Sequence, residues 1–329
     1  MIQKSILATA LLASFSGLSL SAPGGTAAGA LPFQAAPLLY GAAAGNPPSQ
    51  VEDLTIHGEP PMLGVFWTRE MHSARPRDAR RTPNMTYHGG KIMPTATTKA
   101  FFRGAGWLSP GDKITGMDTW YSGFSGSHYQ ATVSEFTGTN GTAGSSPTSH
   151  QGHYVNTAAE TSNGSTSAVL AEVCADITAS GTQIDASGNG YYALYSDQPR
   201  GNAGYCAWHS AGTCGGKAIQ FAFFWKLDGD AGCDPGDTSG LHSQGLAAIA
   251  NVSAHELAEA MSDPASPGAW YDSSGAENGD KCAWTFGGPL ATFSNNSKWK
   301  VQGEWSNAAF TAGTGYPNSS GQNGCIGGL

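Results

Sequence analysis

The chain has 329 residues, a net charge of −8 and only 12% charged residues, with 46 glycines. Phosphate contacts need a basic face, so a chain with 16 Lys and Arg against 24 Asp and Glu is not expected to bind nucleic acid. The length is sufficient for one large domain with its own core.

The amino terminus has the pattern of an export signal. Lys4 precedes an apolar run over residues 6–20, which is too short and too rich in Ser and Gly to span a bilayer. We expect a signal peptide over residues 1–22, cut as late as residue 30, and a secreted or periplasmic protein. An uncleaved anchor is the alternative. No later apolar stretch is long enough for a membrane anchor after cleavage.

The rest of the chain is expected to form a leader and one domain. Residues 23–60 are rich in Ala, Gly and Pro, which predicts a flexible leader before a domain over residues 61–329. Runs of β-branched and aromatic residues predict strands at 62–67, 99–103, 113–121, 128–135, 190–195 and 218–227. Helices are predicted at 165–177 and 239–261, and a loop at 138–149. This mixture predicts an α+β domain with a mixed sheet.

The cysteines predict a disulfide-stapled protein. They are Cys174, Cys206, Cys214, Cys233, Cys282 and Cys325. An even number in an exported chain predicts three disulfides, and a cysteine metal site is disfavoured because no C-x-x-C pair occurs. The simplest pairing joins Cys206 to Cys214 across a short loop. Cys282 would then pair with Cys325, which leaves Cys174 with Cys233.

The long helix predicted at 239–261 carries the clearest chemical signal. Pro264 disfavours a helical conformation at the residue before it, so the helix is expected to end there. At about 100° per residue, one apolar stripe is formed by Leu246, Ala250, Leu257 and Met261. His255 and Glu259 lie one turn apart, roughly opposite this stripe.

Acidic residues are crowded at the carboxyl end of this helix. Glu256, Glu259 and Asp263 lie where the helix dipole disfavours negative charge, and no Lys or Arg lies in the last three turns. A bound cation would offset the repulsion, and an imidazole one turn from a carboxylate is a suitable pair of Zn²⁺ ligands. The alternative is a solvated polar face on which His255 is packed or capping.

The segment His255-Glu256-x-x-Glu259 differs by one residue from the H-E-x-x-H helix of zinc peptidases. In that motif the histidines bind the metal and the Glu is the general base. The spacing therefore predicts His255 and Glu259 as metal ligands and Glu256 as the base. A third ligand is expected downstream, where Asp272, Glu277 and Asp280 are available. Glu277 lies at an offset close to that of peptidases whose third ligand is a Glu.

These residues belong to a wider resemblance. The matching segments are 85–93, 111–121, 205–209, 214–216, 254–264, 270–272, Glu277, 280–287 and 301–307. In them the chain resembles the phosphate-induced, EXORDIUM-like secreted protein family, in its non-plant branch. The resemblance covers essentially the whole mature domain. It implies an extracellular protein, and the plant members are apoplastic proteins of growth and nutrient responses with no enzymatic activity firmly attached.

Two functional hypotheses follow. The first is a secreted zinc hydrolase with a zincin-like core, in which an extended extracellular polypeptide or cell-wall substrate pairs with the strand at 218–227. The second is a non-catalytic extracellular binding or signalling protein whose acidic cluster is structural or binds Ca²⁺. His209 lies between two cysteines and is expected to be structural. His88, beside two glycines, is expected to be a turn residue.

Overall fold

A six-stranded mixed sheet lies at the centre of the protein. The computed structural model describes residues 60–75, 83–265 and 268–328, so the predicted signal peptide and residues 23–59 of the predicted leader lie outside it. In chain order the strands are β1 (Leu63–Trp67), β2 (Thr97–Arg103), β3 (Ser149–Asn156), β4 (Gly190–Pro199), β5 (Tyr205–Cys214) and β6 (Lys217–Lys226). Their spatial order is β1-β5-β6-β4-β2-β3.

The sheet has a parallel part and an antiparallel part. Strands β6, β4, β2 and β3 are parallel neighbours, whereas β5 is antiparallel to β6 and β1 is antiparallel to β5. Strand β6 has partners on both sides, so its backbone hydrogen-bonding groups are already used. The prediction that an extended substrate pairs with this strand is therefore wrong. Strand β1 lies at one edge of the sheet and β3 at the other.

Six α-helices occur among the described residues. They are α1 (Arg69–Ala74), α2 (Lys113–Phe124), α3 (Thr166–Ser180), α4 (Gln244–Ser262), α5 (Asn278–Lys281) and α6 (Asn307–Ala312). The short 3₁₀ helices are Ala105–Leu108 and Gln130–Val133. Within the described ranges, none of the helices is long and apolar enough to cross a membrane.

Short ladders complete the secondary structure. Thr86–Tyr87 pairs with Trp270–Tyr271, Thr137–Gly138 with Gly141–Thr142, and Ala291–Thr292 with Lys298–Trp299. A three-stranded ladder is formed by Glu304–Trp305, Asn323–Ile326 and Tyr316–Pro317. The ladders that come after α4 in the chain bring the carboxyl-terminal part of the protein back to this helix. The mixed α+β class is confirmed.

Helices cover both faces of the sheet. Phe102 on β2 stacks on Tyr195, with ring centroids 4.9 Å apart, and the Tyr195 hydroxyl lies 2.8 Å from Ser253 Oγ on α4. The next residue along β2, Arg103, pairs with Asp176 on α3. Successive side chains of a strand point to opposite faces, so α4 and α3 lie on opposite sides of the sheet.

Two segments predicted as strands are helical. Residues 113–121 belong to α2, and the segment 128–135 holds the 3₁₀ helix Gln130–Val133. The aromatic content of 113–121 suggested a strand, but the buried apolar residues of α2 recur at helical spacing: Ile114, Met117, Tyr121 and Phe124. Strands β3 and β5 were not predicted, because β3 is mostly polar and β5 contains Ser, Gly and Thr.

The disulfides only partly follow the predicted pairing. The structure joins Cys282 to Cys325 as predicted, but it joins Cys174 to Cys214 and Cys206 to Cys233. The predicted Cys206–Cys214 pair is wrong because both residues lie on β5, and the predicted Cys174–Cys233 pair is wrong with it. At about 3.3 Å per residue, the two ends of this strand are far beyond disulfide reach. Cys214 instead meets α3, which carries Cys174.

Helix α4 is buried on all sides. The Ser243 side chain accepts a hydrogen bond from Leu246 N at 3.1 Å, and this cap fixes the start of α4 five residues after the predicted one. Every residue from Gly245 to Ser262 is buried, because the sheet, α2 and α5 surround the helix. The apolar stripe is therefore only one of several faces of α4 that pack against the rest of the protein.

We expect Leu257→Asp to prevent folding, because Leu257 is fully buried and an isolated buried charge costs several kcal/mol. Leu241→Asp is the control, since Leu241 is 58% exposed just before α4. The measurement is the yield of folded protein and its thermal unfolding. Cooperative melting of Leu257→Asp at the wild-type temperature would contradict this packing.

Peptide mapping without reduction should link Cys174 to Cys214 and Cys206 to Cys233, as the structure has them. Removing the Cys174–Cys214 bond by a double Ser substitution should lower the free energy of unfolding by about 2–4 kcal/mol. A fragment linking Cys206 to Cys214 would contradict the placement of both residues on one strand.

Candidate metal centre

The carboxyl-terminal half of α4 faces an acidic cluster in the protein interior. His255, Glu256 and Glu259 on α4 are all 0% exposed. Strands β1 and β5 cover this part of the helix on one side, and α5 covers it on another. The helical spacing brings His255 and Glu259 together as predicted, with 3.0 Å between Nε2 and Oε2.

Helix α5 supplies further carboxylates. Glu277 caps this short helix and forms a capping box with Asp280. The Asp280 backbone N–H donates to Glu259 Oε1 at 2.9 Å, and Asp280 Oδ1 lies 4.0 Å from His255 Nε2. Candidate ligand atoms of His255, Glu259 and Asp280 all lie within 4.8 Å of one another. The structure therefore brings together three of the four predicted ligands.

Strand β5 brings a second histidine to the cluster. His209 Nε2 lies 3.4 Å from Glu277 Oε2 and 3.8 Å from Glu259 Oε2. Ligand atoms of His209, Glu256 and Glu259 form a second group within 4.8 Å. The sequence-based interpretation of His209 as merely structural missed this position. Only the register of β5, which pairs His209 with Ala222 and Leu63, directs this side chain toward α4.

The cluster contains many buried polar atoms that lack a hydrogen-bond partner. Within the described part of the chain these are both ring nitrogens of His209, Nε2 of His255, both carboxylate oxygens of Glu256, Oε2 of Glu259 and Oε2 of Glu277. Buried polar groups are normally hydrogen-bonded, so their concentration at one point requires an explanation. Bound metal would satisfy several of these atoms.

Burial controls the electrostatics of the site. It raises the pKa of Glu259 to about 8, and burial together with the Glu259 charge raises the pKa of Asp280 to about 7. Burial also raises the pKa of Glu256 well above its usual range, with the neighbouring carboxylates as the second cause. Burial also lowers the pKa of His209 to about 3, because it penalises the charged imidazolium. The carboxylates therefore resist ionisation unless a positive charge is supplied.

Lys and Arg side chains bring little positive charge to these carboxylates. The ion pairs found in the described ranges give none of Glu256, Glu259, Glu277 and Asp280 a Lys or Arg partner. Arg75 acts at longer range and lowers the pKa of Asp280. Neutral imidazoles and carboxylates are the usual ligands of Zn²⁺ and related transition metals. The donor set consequently fits a divalent metal ion.

Gln302 determines which nitrogen of His255 can accept a metal. Its Nε2 donates to Gly279 O at 2.9 Å and lies 3.0 Å from His255 Nδ1. This contact favours a ring proton on His255 Nε2, which lies 3.0 Å from Glu259 Oε2 but outside hydrogen-bond geometry. A metal bound at Nε2 requires the proton on Nδ1 and an acceptor beside it. A metal ion at Nε2 would therefore require a change in this contact, although the Gln302 amide is also held by Gly279 O and by the Trp284 N–H.

Other residues that the sequence analysis singled out lie outside the cluster. Asp272 pairs with Lys281, which removes it from the candidate ligands. Asp263 accepts a hydrogen bond from the backbone of Ala269 and acts as the carboxyl cap of α4. His88 stacks on Tyr271 in an exposed ladder. The crowding of acids at the end of α4 thus concerns Glu256 and Glu259, with Glu277 and Asp280 from α5.

Comparison with protein-family models, curated proteins and solved structures found no match to this chain. The functional argument therefore depends on the geometry of the cluster. That geometry shows that buried His, Glu and Asp side chains could hold a metal ion.

We expect Gly64→Ala to destabilise the protein more than an ordinary glycine substitution. A Cβ at this position on β1 would overlap Glu259 Oε2 and the His209 ring. Gly201→Ala is the matched control, because Gly201 has a φ of 56°, close to the 48° of Gly64, and open space around it. The control should lose about 1–2 kcal/mol from backbone strain, and Gly64→Ala clearly more. Equal losses in denaturant unfolding would show that the cluster tolerates a methyl group there.

Proposed function

We propose that this protein is a secreted metal-dependent hydrolase with a zincin-like site, and that Glu256 is its general base. His255, Glu259 and Asp280 would hold the metal ion, with Glu277 beside them. The proposal rests mainly on the buried environment of the Glu256 carboxylate. This carboxylate is fully buried, lies next to the metal-binding pair on α4, and has no hydrogen-bond partner on either oxygen.

Neither oxygen of this buried carboxylate makes a hydrogen bond that would give it a structural role. The backbone of Phe66 approaches Glu256 and favours its ionised form, but the hydrogen-bond geometry is not met. An unsatisfied buried polar group costs about 1–3 kcal/mol, and more when it is charged. General bases are often such groups, because burial raises their pKa toward the pH at which they take up a proton. With a bound cation favouring its ionised form, Glu256 would take a proton from the attacking water.

A divalent metal bound beside Glu256 would supply Lewis-acid polarisation of the substrate carbonyl. The ligands favour Zn²⁺ over Ca²⁺, because Ca²⁺ takes oxygen ligands and the cluster offers two imidazoles. The chain itself orients the reacting groups. Phe66 on β1 packs edge-to-face on His255 with 4.8 Å between ring centroids, and this contact holds the imidazole against α4 and limits the access of water.

An extended polypeptide or a cell-wall component would be the substrate. Strand β1 lies at the edge of the sheet and carries both Gly64 and Phe66 over the cluster. Extended peptides commonly bind by adding a strand to such an edge. Strand β1 thus replaces β6 as the candidate docking strand. Export is supported by the three disulfides, which persist in oxidising compartments, and membership in the EXORDIUM-like family remains part of this proposal.

The second candidate is a non-catalytic extracellular protein with a structural metal. The complete burial of His209, His255, Glu259 and Glu277 favours it, because structural metal sites are closed whereas catalytic sites keep an open position. This reading leaves the unpartnered Glu256 without a role unless it is a ligand. The two candidates therefore differ in what Glu256 does.

We expect Glu256→Gln to retain its bound metal and its melting temperature while hydrolysis falls by about 10²–10⁴-fold, the usual contribution of a general base. His255→Ala and Glu259→Ala should lose metal and melt at a lower temperature, because a metal bound only to the folded state stabilises it. Metal content, melting temperature and cleavage of an unfolded protein substrate are measured on the same preparations.

Glu172→Gln is the matched control for these variants. Glu172 is also a buried glutamate, but it lies on α3 beside Arg103, on the other face of the sheet. This variant should keep both metal and activity. A wild-type protein that binds metal and cleaves nothing would leave the structural-metal candidate. Loss of metal from Glu256→Gln would make Glu256 a ligand and exclude it as the base.

A further inference from the structure

We propose that the cluster binds two metal ions that share Glu259. The first position is that of the proposed function, formed by His255, Glu259 and Asp280, and the inference rests on that proposal. The second position is formed by His209 and Glu277 together with Glu259. The histidines and carboxylates would thus form a binuclear centre between β5, α4 and α5.

The candidate ligands form two groups that share one residue. One group contains His255 and Asp280, the other contains His209 and Glu256, and Glu259 belongs to both, while Glu277 adjoins the second group through His209. The same atom, Glu259 Oε2, lies 3.0 Å from His255 Nε2 and 3.8 Å from His209 Nε2. Each histidine also has its own carboxylate: Asp280 at 4.0 Å from His255 and Glu277 at 3.4 Å from His209. Glu259 is therefore placed as a bridging carboxylate.

The second position has its own unsatisfied atoms. His209 is fully buried, and both of its ring nitrogens lack a hydrogen-bond partner. Glu277 is 1% exposed, and its Oε2, which faces His209, also lacks a partner. An ion held only by His255, Glu259 and Asp280 would leave these atoms unsatisfied. A buried imidazole and carboxylate pointing at each other without a hydrogen bond are well placed to share a cation.

The charge of the cluster supports the same number. Glu256, Glu259, Glu277 and Asp280 would carry four negative charges when ionised, and the described ion pairs give them no Lys or Arg partner. With one divalent ion, two of these carboxyl groups would have to be protonated or stay uncompensated in the interior, where each unpaired ion costs several kcal/mol. Two divalent ions balance all four.

The backbone of β1 packs closely against Glu259 and His209. Gly64 has no side chain, and a Cβ there would overlap both Glu259 Oε2 and the His209 ring. Glycine at this position therefore lets β1 approach Glu259 and His209 without a clash. Pairs of metal ions in hydrolases lie about 3.5–4 Å apart and can stabilise both the attacking and the leaving oxygen. Glu256 lies within 4.8 Å of His209 and Glu259, where it can serve as the base of a two-ion site.

The test is a metal count on the folded, full-length secreted protein. The protein is stripped with a chelator, loaded with Zn²⁺ and desalted, and zinc per chain is measured by mass spectrometry. We expect two zinc ions per wild-type chain. His209→Ala and Glu277→Gln should each retain one, Asp280→Asn should retain one, and Glu259→Ala should lose affinity at both positions. His88→Ala is the control, because His88 is an exposed histidine outside the cluster.

A second readout tests whether Glu259 bridges the ions. Two Co²⁺ ions bound to one carboxylate are magnetically coupled, so the electron paramagnetic resonance signal per cobalt should weaken between one and two equivalents. Two uncoupled ions would overturn the shared position. Native mass spectrometry of the wild type titrated with Zn²⁺ gives the same count if a variant fails to fold.

The failures of the two proposals are distinguishable. One zinc per wild-type chain, unchanged in His209→Ala, would overturn the second position and leave the proposed function intact. Two ions that both persist in His209→Ala and Glu277→Gln would also overturn it, because the second ion would then bind elsewhere. No bound zinc at all would overturn the metal-dependent function together with this inference.

Discussion

The structure depends on the burial of acidic side chains between α4, α5 and β5 without a basic partner. Glu256 and Glu259 are fully buried, and α4 cannot turn to release them because its other faces also pack against the protein. Carboxylates in such an environment must be protonated or bind a cation. Burial raises the pKa of Glu259 to about 8, because removal from water penalises the charged carboxylate.

The sheet is built so that this cluster is closed. Its parallel part forms the core, and its antiparallel extension, β5 followed by β1, lies over α4. The extension contributes His209 and Gly64, whereas α5 contributes Glu277 and Asp280. The Cys282–Cys325 bond begins at the residue that caps α5 and ties it to the carboxyl-terminal ladder. Closure holds the ligands in place and also limits how a substrate could reach them.

Closure also sharpens the functional question. A hydrolase needs a path for its substrate, and the edge strand β1 is the element beside the cluster that could open such a path or pair with an extended chain. A structural metal needs no path and no base. Glu256 is the residue on which the two functions diverge, because its carboxylate is buried without a hydrogen-bond partner.

The sequence by itself determined what depends on local geometry. The long helix, its end before Pro264 and the pairing of His255 with Glu259 follow from helical spacing and from proline, and the structure has all three. The tertiary structure decided what depends on distant contacts. Cys206 and Cys214 are neighbours in sequence but lie at opposite ends of β5, and His209 joins the cluster only because β5 pairs in one register with β6 and β1. Strand register is set by the packing of the whole sheet, so no local pattern could have placed His209 beside Glu259.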